Sequence, residues 1–245
     1  MRATVYGIPG SHPVRACRLM LDRKGIEHKL VQVPNVVCRP LLRAMGFPAG
    51  TVPAMKLDGR RLQTTLAISR ALDEIRPDPP LFPADPELRE RVEGVERWGD
   101  EVLQPAVRRI AYATPFRKEA RADFAGFFEG PLLGLPPRLA VATAAPLLAA
   151  GARVNSASDE TVRADLAALP EYIGRVAALI AGGTIGGEEP NAADFQIAPS
   201  IRLLMCFDDL RPVIEGTPAG EHAMRVCPEF PGHVRAVLPK DWLPA

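Results

Sequence analysis

The chain has 245 residues, enough for one large domain or two small ones. Hydrophobic residues at 47%, charged residues at 24% and a net charge of +1 describe an ordinary globular protein. They leave no basic surplus for nucleic acid and no acidic tail. The four cysteines, Cys17, Cys38, Cys206 and Cys227, show no paired spacing, and the start of the chain shows no signal-peptide pattern. Reduced thiols in a cytoplasmic protein are expected. The four histidines form neither HExxH nor a close cluster, so no metal site is expected. The apolar run Leu139 to Ala152 is too short to span a bilayer and contains Pro146, so no membrane association is expected.

In chain order, Thr4 to Leu21 reads as a short strand, a break at Gly7-Ile8-Pro9-Gly10, and a helix. Ser11 stands at the helix N-cap, where its hydroxyl is expected to accept a hydrogen bond from a first-turn amide. Pro13 fits the first turn, where a missing N–H costs nothing. Lys24-Gly25 ends the helix with a cation and a C-cap glycine. His28 to Val33 alternates as a second strand, and Val37 to Met45 is a short helix closed by Gly46. Pro53–Leu57 and Arg60–Leu62 flank Asp58-Gly59, a strong hairpin signal. Thr65 to Ile75 has helical spacing. The order is β-α-β-α-β-β-α over residues 1–76.

Arg76 to Pro86, with five prolines, reads as a stiff linker at 77–86, with Leu81-Phe82 as a plug into a neighbouring surface. Residues 87–245 show no convincing strand. Glu87 to Tyr112 patterns as one long helix that Pro105 should kink. Asp123 to Glu129 and Pro137 to Gly151 are weaker helical stretches. Asp159 to Ile180 is helical, with Pro170 bending or dividing it. Gly182 to Pro190 is a turn, not a phosphate loop, because it lacks the lysine and the preceding strand. Asn191-Ala-Ala-Asp194 is a capping-box variant opening a helix to Phe207, and Asp194 is read as structural. Ser11-His12 lacks the surroundings of a hydrolase nucleophile. Trp98, Tyr112 and Phe116 are expected to pack, and Arg108 and Arg109 to meet solvent. Their place in the first helix after the linker makes Arg108, Tyr112 and Phe116 candidates to line a pocket.

This sequence of modules resembles a soluble glutathione transferase. The resemblance rests on Tyr6-Gly7-x-Pro9-x-Ser11 with the helix after it, Gly50-Thr51-Val52-Pro53, Leu62 to Leu72, Pro80 to Leu88, and Gly186 to Phe195. It implies an α/β thioredoxin-like N-terminal domain, an all-helical second domain that binds an electrophile, and a homodimer. It implies a serine-type active site in which Ser11 donates to the sulfur of glutathione, the co-substrate. His12, Thr51, Val52, the cis-proline Pro53, Thr64 and Thr65 would complete the glutathione site. The family often carries Glu-Ser where this chain has Thr64-Thr65, and a lysine where it has Thr51. Those substitutions remove charge-assisted bonds, which leaves Arg15 or Arg39 to supply a cation, or a ligand other than glutathione. The alternative is the same fold serving as a non-catalytic binding or interaction protein. A glutaredoxin-like role does not fit, because Ser11 and Val14 stand where cysteines would be needed.

Overall fold

The structure, a computed structural model, describes residues 1–33, 35–114, 119–131, 134–143 and 145–244. The N-terminal part runs β1 (Arg2–Gly7), α1 (His12–Arg23), β2 (Glu27–Gln32), α2 (Asn35–Ala44), β3 (Ala54–Leu57), β4 (Arg60–Gln63) and α3 (Thr65–Ile75). These form a thioredoxin-like mixed sheet in the order β2-β1-β3-β4. β2 is parallel to β1 and β3 is antiparallel to it. The β3–β4 turn has positive φ at both Asp58 and Gly59, the geometry that matches strand twist in a two-residue hairpin.

The helical region runs α4 (Pro86–Trp98), α5 (Gln104–Ala113), α6 (Pro137–Thr143), α7 (Ala145–Val154), α8 (Asp159–Ala181), α9 (Ala192–Leu204), α10 (Arg211–Ile214) and α11 (Pro218–Val226). α4 and α5 are one continuous helix joined by a π-helical turn at Gly99–Leu103. Here the expected kink takes a different form. Pro105 lacks an N–H, and the turn before it widens, with the Gln104 amide bonded to the Gly99 carbonyl. Pro170 does not divide α8. The helices at 211–226 lie where the sequence pattern indicated none, and beyond the sheet the described residues show one isolated bridge, Phe207 to Val234.

α9 is the central helix, buried nearly all round and packed against α1, α4, α5 and α11. Its start is the capping box as expected. Asn191 accepts from the Ala193 and Asp194 amides, and Asp194 accepts from the Asn191 amide. Asp194 also takes the Gly186 amide and His222 Nε2, so its four-way role is structural.

The proline-rich segment docks firmly. Leu81 is fully buried and Phe82 nearly so, the guanidiniums of Arg70 and Arg89 lying 4.8 and 4.9 Å from its ring centre. Each side chain contributes about 1.5–3 kcal/mol by burial. Lys24 is not a solvated helix-end cation. It is 1% exposed, and its ammonium donates to Asp73 Oδ1 at 2.8 Å and to the carbonyls of Arg76 (2.6 Å) and Pro79 (2.6 Å). Asp73 Oδ1 in turn takes the Leu81 amide at 2.7 Å. All four cysteines are free and buried. The described residues contain no group that could hold a metal ion and no helix long and apolar enough to cross a membrane.

Candidate functional site

Sheet register brings the candidate residues to one edge. Tyr6, at the end of β1, faces Ala54, at the start of β3, and Ala54 faces Gln63, at the end of β4. The loop into α1, the Val52–Pro53 bond and the start of α3 therefore lie side by side. The Val52–Pro53 peptide is cis, as the resemblance implied. The Thr64 amide bonds the Pro53 carbonyl at 3.3 Å, which joins the second and third of these pieces.

Ser11 occupies the N-cap of α1, but its side chain makes no capping bond. The expectation that its hydroxyl accepts a first-turn amide is overturned. The loop is held by main chain instead: the Ser11 amide bonds Ile8 and the Arg15 amide bonds the Ser11 carbonyl. Ser11 is half-buried, and the first turn of α1 has no acidic residue. A hydroxyl donor at the positive end of a helix suits an anion. The far side of this loop is closed by the 3₁₀ turn Asp123–Phe127, where the Gly10 amide donates to the Phe127 carbonyl at 2.9 Å. A Cβ on Gly10 would lie 2.5 Å from Phe127 Cβ, so only glycine allows this approach.

The loop before Pro53 is pinned by a residue that sequence reasoning passed over. Gln63 accepts the Ala49 amide at 2.9 Å and donates to the Thr51 carbonyl at 2.9 Å. Thr51 itself is exposed, Val52 half-buried and Pro53 buried. The Arg39 stem lies on Gly50, within 2.2 Å of where a Cβ would stand. Arg15 points elsewhere, its guanidinium 4.0 Å from Glu229. Of the two arginines considered as a replacement cation, Arg39 is the one beside the Thr51 loop.

Thr64 caps α3, accepting the Ala67 amide at 3.3 Å, and holds φ at +68°. A β-branched residue there is a backbone outlier of the kind concentrated at ligand sites. Thr65 is buried, and its hydroxyl donates to Asp100 Oδ1 at 3.3 Å. Asp100 stands in the π-helical turn, and burial pushes its carboxyl above the usual range.

His12 is buried, with Nδ1 2.9 Å from Ser200 Oγ on α9. Burial, then the nearby Arg108 charge, holds its pKa well below 6.5. Arg108 is not in solvent as expected. Burial lowers its pKa, with Tyr112 and Asp100 as its compensating neighbours. Arg109 is not in solvent either: it makes a two-pronged bond to Asp165 on α8, at 2.6 and 2.7 Å. Tyr112 is half-buried one turn beyond Arg108. Trp98 packs as expected, edge-on to Tyr172 and under Arg175. Phe116 lies outside the described residues. Gln63, Asp100 and Arg39 had no sequence signal of their own, because each acts through a partner distant in the chain.

Comparison with known proteins agrees with this geometry. Residues 5–80 match the family model described as the glutathione S-transferase N-terminal domain. Maleylacetoacetate isomerase from Rattus norvegicus is 36% identical over 76 residues, which are 29% of this chain and 35% of the rat protein. The chain thus spans about a third of the length of the curated relative it matches. A glutathione S-transferase from Rhodospirillum rubrum superposes with a TM-score of 0.63 at 21% identity, covering 91% of this chain and 87% of that one. One from Methylobacterium radiotolerans, in complex with glutathione sulfonate, gives 0.53 at 18% identity over 92% and 88% of the two chains. Residues 5–80 thus form a domain of the glutathione S-transferase N-terminal type, and the chain as a whole has the glutathione transferase fold.

Proposed function

We propose that the protein is a glutathione-dependent enzyme of the transferase type, which stabilises the glutathione thiolate for attack on a second, electrophilic substrate. The observation that carries this is Ser11: a hydroxyl with no capping duty, at the N-terminus of an acid-free helix turn, beside the cis Val52–Pro53 bond. Under this reading Ser11 donates to the sulfur and the helix end lowers the thiol pKa. The Val52 backbone pairs with the cysteinyl part of glutathione as an added strand. Thr51 lies at the glycyl end, where Arg39 supplies the cation the loop itself lacks. Thr64 and the amide of Thr65 meet the γ-glutamyl end at the start of α3. The electrophile lies against α5, near Arg108 and Tyr112.

The isomerase relative matches only the glutathione-side domain, so it supports the thiol half of this reading and leaves the electrophile open. A second reading, a non-catalytic binding protein, is favoured by one observation: the Thr65 hydroxyl is already given to Asp100. Calorimetric titration with glutathione, with thiolate absorbance followed against pH, separates the two. Loss of one bond to a charged sulfur, about 1.5–3 kcal/mol, should raise the thiol titration in Ser11→Ala by roughly 1–2 pH units. Absence of binding at millimolar glutathione overturns the enzyme reading. Binding with an unshifted thiol in the wild type supports the second.

A further inference from the structure

Behind Ser11, at the junction of α1, α5 and α9, lies a polar cluster that thiol activation does not use. Arg108 is its centre. Among the described residues its guanidinium makes no hydrogen bond and no ion pair, although Asp100, Tyr112, His12 and Arg109 all act on it electrostatically. Five donors in a planar fork rarely stay unmatched inside a fold. Around it, also among the described residues, His12 Nε2, Gln104 Nε2 and both amide atoms of Gln196 are buried without a hydrogen-bond partner. His12, Gln104 and Gln196 are each no more than 3% exposed. Gln104 lies one turn before Arg108 on α5, so the two share a face. Gln196 lies one turn before Ser200, the partner of His12, and its side chain stands against Gly99, where a Cβ would be 2.7 Å from Cγ.

Buried polar groups are matched in the great majority of cases, so several unmatched ones around one cation ask for a shared ligand. The set is rich in donors: the guanidinium, two amide NH₂ groups and an imidazole nitrogen. Asp100 is the nearby acid, but it lies beyond ion-pair distance of Arg108 and takes the Thr65 hydroxyl. It therefore leaves Arg108 unneutralised, and it repels an anion from the α3 side. What fits is a planar oxyanion received two-pronged by arginine.

We propose that the second-substrate side of this cleft is built for an electrophile bearing a carboxylate, seated on Arg108 with Gln104, Gln196 and His12 as supporting donors. This rests on the reading of the site as a two-substrate cleft and names the class of its second substrate. His12 directly follows Ser11, so the carboxylate is anchored close to the sulfur-binding hydroxyl. An apolar body then extends from it toward Tyr112.

The test uses cinnamate and its neutral isostere cinnamamide as probes of the full chain in calorimetric titrations. Wild type should bind cinnamate at least roughly ten-fold more tightly than cinnamamide, the difference expected from one charge-assisted pair. Arg108→Gln should erase that preference and Arg108→Lys should keep part of it. The lysine variant guards against a folding defect, since it retains the charge and most of the stem. Equal affinity for the two probes, no binding of either, or a preference that survives in a folded Arg108→Gln protein overturns the proposal. A wild-type glutathione titration reads the parent assignment separately: cinnamate preference without glutathione binding would sink that assignment and leave the carboxylate site standing.

Discussion

Replacing Lys24 with methionine tests how the linker is fastened. The methionine keeps the apolar stem and removes the ammonium. Asp73 then loses its cation but keeps the Leu81 amide, while the carbonyls of Arg76 and Pro79 lose bonds of 2.6 Å each. Lys24 is fully buried along its side chain and Asp73 is 17% exposed, so water replaces little of what is lost. Breaking a buried pair by removing one partner costs about 3–5 kcal/mol. For a chain of this size, each kcal/mol moves Tm by roughly 2–4 °C, so Lys24→Met should unfold roughly 6–20 °C lower. Urea unfolding gives the free energy directly, and limited proteolysis should show new cleavage between residues 76 and 81. Lys24→Met with Asp73→Asn should recover part of the loss, because the stranded carboxylate is gone. A loss below about 1 kcal/mol, the range of exposed ion pairs, would refute the clamp.

Gln63→Leu should leave the sheet intact but free the 49–51 loop. Glutathione affinity should fall roughly ten-fold for the loss of about 1 kcal/mol per loop bond, read by calorimetry. Gly10→Val should drive a side chain into Phe127 and cost about 1–3 kcal/mol by overpacking, measured by chemical denaturation. His12 predicts a pH effect. Its folded pKa lies well below its ordinary 6.5, so below pH 6.5 the unfolded chain binds the extra proton and stability falls with falling pH. Against wild type, His12→Gln should flatten the stability curve below pH 6.5 by up to about 1.4 kcal/mol per pH unit, down to the folded pKa. Identical slopes in denaturation at pH 7, 6 and 5 would place the acid sensitivity elsewhere.

Local chemistry made much of the fold legible. Hydrophobic spacing marked the long helices, Asp58-Gly59 marked the hairpin, and Asn191 to Asp194 marked the start of α9, because caps and turns are decided within a few residues. Apolar pattern located the plug at Leu81-Phe82 for the same reason. The short helices at 211–226 were missed because brief segments carry too few repeats to show a period. At the site, the residue types at Ser11, Val52-Pro53 and Thr64 were recognisable as a set. Their proximity depends on the register of β1, β3 and β4.

The sequence by itself determined the order of elements, the mixed thioredoxin-like sheet followed by helices, and the position of Ser11 at a helix start. Only the tertiary structure decided how the polar groups are spent. It left the Ser11 hydroxyl out of the cap and turned the Thr65 hydroxyl to Asp100. It also buried Lys24 on the linker carbonyls and left Arg108 unpaired among unmatched amides. Helix and strand patterns depend on neighbours a few residues away. The partners of a buried charge lie tens of residues away, and folding alone brings them within hydrogen-bond reach.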